Sequence, residues 1–133
     1  SIVTAIRGLL EETGYYPKWL AEKPDLIEII LDKTKRRNTP NLAEDLKTLL
    51  GSDAVLLSKT LHDTARSDRV ISHWLLKNCV LARDSEEDIK TVLMSIEEFR
   101  SQLLEYLSSS PETPHAGVNS LVAIDLAQWH LSH

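Results

Sequence analysis

An all-α fold is what this sequence predicts, and three observations predict it. Leu, Ile, Val and Phe supply 39 of 133 residues, well above the ~20% below which a chain cannot bury enough surface to fold. Only four Gly and five Pro are present, mostly at the edges of apolar segments, which disfavours a turn-dense sandwich or barrel. Within those segments the apolar residues recur at helical spacing. The expected architecture is a single domain over 1–133 of about six to eight helices, an antiparallel bundle or a short α-solenoid of helical hairpins.

Taken in order, Ile2, Val3, Ile6, Leu9 and Leu10 line a first helix that Gly14 closes, glycine being the residue that adopts the left-handed stop most cheaply. Tyr15, Tyr16, Pro17 and Trp19 follow in a short piece, a helical turn or two opened by Pro17 and ended before Pro24. Asp25 with Glu28 forms a capping pattern ahead of Leu26, Ile27, Ile29, Ile30 and Leu31, predicting a helix to about Arg37. Asn41 with Glu44 repeats that signal before Leu46, Leu49 and Leu50, and Gly51 ends the segment. From Ser52 or Asp53, the stripe Ala54, Leu57, Leu61 and Ala65 predicts another helix. Ser67 and Asp68 open the next, whose Val70, Ile71, Trp74, Leu75, Leu76, Cys79, Val80, Leu81 and Ala82 leave little polar face, so it is expected to be the central, most buried one. Ser85-Glu86-Glu87-Asp88 is the clearest cap, placing acids at the positive helix end. Ile89, Val92, Leu93, Ile96, Phe99, Leu103 and Leu107 then predict the longest helix, about six turns. Residues 108–117 read as an internal polar loop. The last helix starts near Val118 or Asn119, with apolar residues on more than one face.

Lys and Arg against Asp and Glu number eight each over residues 1–50, five against three over 51–83, and two against nine over 84–133. The net charge of −5 disfavours nucleic acid as a partner, because neutralising phosphates takes a basic surface. A protein partner with a basic surface is the natural match. The longest apolar runs are four residues, so no membrane span is expected, and the first ten residues, with Arg7 among them, carry no signal peptide. One cysteine, Cys79, can form neither an internal disulfide nor a Cys-based zinc site, which points to a reducing intracellular compartment, cytoplasm or nucleus. Because the chain opens at Ser1 without a Met and stops straight after an apolar helix, it reads as a fragment of a longer protein.

Trp19-Leu20 followed by Pro24-Asp25-Leu26-Ile27-Glu28-Ile29-Ile30-Leu31 resembles the paired-helix rhythm of HEAT and armadillo repeats, in which a proline opens a strongly aliphatic helix. Pairs can be drawn as 17–37, 41–65 and 68–107, although no residue recurs at a fixed offset. The resemblance implies a superhelical scaffold whose exposed helix faces grip other proteins.

Several residue sets could carry chemistry. Leu61-His62-Asp63, with Asp125 far downstream, resembles the His-Asp doublet of HD-type metal phosphohydrolases. No histidine precedes position 62, so that family's first ligand is missing, and one His with two carboxylates holds a transition metal poorly. The acids Glu86, Glu87, Asp88, Glu97 and Glu98 do not repeat one turn apart, as paired magnesium carboxylates on a helix would. His130 and His133 stand at ligand spacing at a chain end; His73 and His115 do not. Leu46-Lys47-Thr48-Leu49-Leu50 spells the Leu-x-x-Leu-Leu box of coactivators, but its leucines coincide with the stripe begun by Leu42 and are expected inside. Lys33, Lys35, Arg36 and Arg37 read as a localisation signal, an anion site or cations favoured at a helix C-terminus. Ser110-Pro111 and Thr113-Pro114 have the form that proline-directed kinases use.

The sequence therefore predicts a non-enzymatic protein-interaction module, a scaffold or adaptor, with no cofactor and no metal. Its expected contact residues are Glu86, Glu87, Glu97, Glu98 and Glu105 on the long helix and Trp129 on the last. A degenerate HD-type hydrolase is the alternative, and self-association through exposed ends is open.

Overall fold

The computed structural model describes residues 1–61, 70–82, 90–109 and 115–133. It corrects the all-α expectation: among the described residues six helices are accompanied by two small antiparallel sheets of two strands each. The chain divides into two compact units, one of Ser1–Val55 with Trp74–Thr91, the other of Leu56–His73 with Val92–His133.

Helix α1, Ile2–Thr13, buries Ile2, Ile6 and Leu10, three residues at four-residue steps on one face. Ser1 caps it by accepting the Thr4 N–H. Gly14 ends it at φ 78°, its N–H donating to the Leu10 carbonyl, as the sequence predicts. There the chain turns extended. Strand β1, Tyr15–Pro17, pairs antiparallel with β4, Cys79–Leu81, setting Tyr15 opposite Leu81 and Pro17 opposite Cys79. Pro17 thus ends a strand instead of opening a helix, and the 3-10 turn Lys18–Glu22 follows it.

Where one helix to Arg37 is expected there are two, α2 over Pro24–Leu31 and α3 over Lys33–Arg37. Pro24 sits at the start of α2, where its missing N–H costs nothing; neither Asp25 nor Glu28 caps it. The break is at Asp32, which adopts extended backbone and uses its carboxylate to accept the N–H groups of Thr34 and Lys35. A residue that can bond its own backbone two or three positions on competes with continuing the helix. Helix α4, Leu42–Leu50, is where the sequence puts it, with Leu42, Leu46 and Leu50 buried and Gly51 at φ 53°. These three, with Ile2, Ile6, Leu20 and Ile30, make the core of the first unit. Fully burying each such side chain contributes about 1.5–3 kcal/mol.

The helices expected over 53–65 and 67–82 are strands. β2 is Ala54–Leu61 and β3 is Val70–Leu76, paired antiparallel with each other. Trp74 and Leu76 both pack on the core; side chains two apart share a side only in a strand. The Lys77 N–H donates to the Asp53 carbonyl, and Asn78, at φ 55°, turns the chain into β4. No residue over 72–82 is buried, so this segment is not the core element expected.

In the second unit, residues 90–95 are not helical, and α5 covers only Ile96–Ser109. The predicted long helix starts late because Ser95 provides a start of its own: its hydroxyl accepts the Glu98 N–H, the arrangement of a Ser-x-x-Glu cap. Glu86, Glu87 and Asp88, expected to head that helix, lie outside the described residues. α6, His115–Ser132, begins ahead of Val118 and packs against α5; Ala123 and Ala127 are buried on it.

Candidate functional site

Of the residues expected to meet a partner, Glu97, Glu98 and Glu105 lie exposed on α5 and Trp129 lies exposed on α6, while Glu86 and Glu87 lie outside the described residues. The structure adds what the acids alone do not show. Phe99 and Tyr106, 46% and 58% exposed, are seven residues apart, so they share one face of α5, about 10.5 Å from each other along the axis. Glu98 and Glu105 immediately precede them and form a parallel row. Two aromatic rings and, about 100° around the axis, two carboxylates thus lie exposed on one 14-residue helix. Burying such rings would contribute the affinity, and the carboxylates would set the sign of the partner's charge.

Ahead of α5, Val92, Leu93 and Met94 are also exposed, Leu93 by 75%. Helices α5 and α6 are joined by an ion pair of Arg100 Nε with Asp125 Oδ1 at 2.8 Å. Both partners are substantially solvated, so the pair contributes no more than ~1 kcal/mol. On α6, the His133 ring stacks on Trp129 with centroids 4.7 Å apart, and His130 meets the same ring edge-on at 5.1 Å. His133 Nδ1 lies 2.9 Å from the Trp129 carbonyl, so this ring nitrogen is turned back onto the end of its own helix.

The other candidate chemistries are placed as follows. His62 and Asp63 lie outside the described residues, and Asp125 is held by Arg100. Among the described residues no three His, Cys, Asp or Glu side chains converge as a metal site would require. Cys79 is half-buried in β4, and burial, followed by the nearby Asp53 carboxylate, pushes its thiol pKa up; a protonated thiol is a poor nucleophile. Leu46 and Leu50 of the Leu-x-x-Leu-Leu stretch are core residues, unavailable to any groove. Of the basic cluster, Lys35 pairs with Glu28 at 3.5 Å and the Arg36 guanidinium donates to the Ile30 carbonyl, so both serve the α2–α3 join. Ser110, Pro111, Thr113 and Pro114 lie outside the described residues.

One polar cluster escapes sequence reasoning. The Asp53 carboxylate accepts the Trp19 indole N–H and, at 3.1 Å, the Asn78 amide. These hydrogen bonds, from Trp19 first and then Asn78, with Lys77 and Lys18 nearby, hold its pKa below the usual carboxylate value. Lys18 lies over the Trp19 ring, 5.1 Å from its centroid. The cluster ties the 3-10 turn after β1 to the β3–β4 turn and is structural in character.

No family model, curated protein or solved structure matches this chain. Among the described residues no helix is long and apolar enough to cross a membrane.

Proposed function

We propose that the chain is a protein-interaction module, part of a scaffold or adaptor, that recognises a partner through the outer face of α5. The observation that carries this reading is the paired row of Phe99 and Tyr106 beside Glu98 and Glu105, all exposed on one helix. Large apolar rings are costly to leave in water, and two of them exposed on the same face of one helix are what a partner's apolar side chains would cover. The partner that fits is a protein segment with apolar side chains flanked by Lys or Arg. The single cysteine supports a reducing intracellular setting, cytoplasm or nucleus.

The experiment is a quantitative pull-down from native lysate with the whole chain, the aromatic variant F99A/Y106A and the charge-reversed variant E98K/E105K. Circular dichroism confirms that each is folded, and any captured protein is then purified and titrated directly. The reading requires a partner whose affinity falls about tenfold or more in each variant, with the charge contribution shrinking as salt is raised. A partner bound equally by all three chains would reject this face.

A further inference from the structure

We infer that α6 associates with α6 of a second copy of this chain, antiparallel, forming a weak dimer. The inference goes beyond the α5 reading and uses a different helix, so the two stand or fall separately. Val118, Val122, Asp125, Trp129 and Ser132 are all exposed and are spaced four, three, four and three residues apart. That alternation is the seam of two helices packed at a shallow angle, as in left-handed helix pairs. The seam is uncharged apart from Asp125, whose carboxylate is neutralised within its own chain by Arg100, so a second identical surface meets no net repulsion.

The seam is also self-complementary in size. In antiparallel helix pairs, seam positions of one kind face those of the other kind. Applied to α6, this sets Trp129 against Val118 of the second copy and Asp125 against Val122, a large ring facing a small side chain at both ends. The same register overlaps His115–Ser132 with its copy over its full length, about 27 Å at ~1.5 Å per residue. The two Asp125 carboxylates then flank the twofold axis, each with its Arg100. One helix pair of this length buries less than the ~800 Å² per partner of a standard stable interface, so the dimer is concentration-dependent instead of permanent.

Sedimentation velocity of the whole chain from about 10 to 500 μM tests this, the range being set for a weak interface. The mass should rise from 15.0 kDa toward twice that value, and W129A should remain monomeric throughout. Trp129 is 56% exposed, so this variant keeps its fold, as circular dichroism will show. The register is tested by mixing V118C and W129C, each also carrying C79S, at the upper end of that concentration range under air oxidation: the mixed pair keeps one of its two Trp129–Val118 contacts, and a disulfide between the two different chains should exceed either self-linked product. A monomer at every concentration, a dimer indifferent to W129A, or self-linked products in excess would each overturn the inference.

Discussion

Asp53 is the residue whose environment has the clearest measurable consequence. Its folded-state pKa is depressed, first by the Trp19 indole N–H and then by the Asn78 amide. A depressed carboxylate stabilises the fold above its unfolded pKa, ~3.9, and that contribution is lost as pH falls through the folded pKa. Asp53→Asn should therefore unfold at lower temperature than the native chain at pH 7, with the gap narrowing below about pH 4, readable by thermal melts across pH. Leu46 makes the contrasting case. Fully buried between α1, α2 and α4 neighbours in the core, it should cost about 2–5 kcal/mol when truncated to Ala, measured by denaturant titration. Leu46 is legible as core from its stripe with Leu42 and Leu50. The Asp53 clasp is not, because it joins residues 19, 53 and 78, and spacing within one segment carries no signal for contacts between three.

At the scale of elements, local stop and start signals read well wherever one residue type decides the geometry. Gly14 is such a residue: Gly14→Ala should cost about 1–2 kcal/mol, since φ 78° is strained for any residue with a Cβ, and a chemical denaturation midpoint will show it. α1 and α4 were thus readable from periodicity plus a terminal glycine. The segments 54–61 and 70–81 were not. Short apolar runs such as Ala54-Val55-Leu56-Leu57 and Val70-Ile71 satisfy helix and strand templates alike. What decides between them is long-range, the pairing of β4 with β1 and the packing of Trp74 and Leu76 on the core. α5 shows the remaining ambiguity, two Ser-x-x-acid starts ten residues apart, Ser85 and Ser95, of which the second begins the helix.

Across the whole molecule, burial is uneven. Every described core residue except Ala123 and Ala127 belongs to Ser1–Leu50, and none on α5 is buried. Native-state amide exchange should accordingly be slowest in α1 and α4 and markedly faster in α5, since local opening follows the density of buried contacts. That unevenness fits a module in which one unit supplies stability and the other presents side chains to a partner. The acidic character of the last third of the chain was visible from charge counting, and Glu98 and Glu105 were named by it. Their aromatic neighbours are not legible in the same way, because the sequence pattern puts Phe99 on the apolar stripe of a helix that in fact begins later. The most direct measurement is site-specific photocrosslinking in native lysate, with a benzophenone side chain at Tyr106 and a control at Lys33 on α3. One adduct protein is expected at Tyr106, absent at Lys33 and abolished by E98K/E105K; no adduct at Tyr106, or the same adducts at both positions, would contradict recognition through α5.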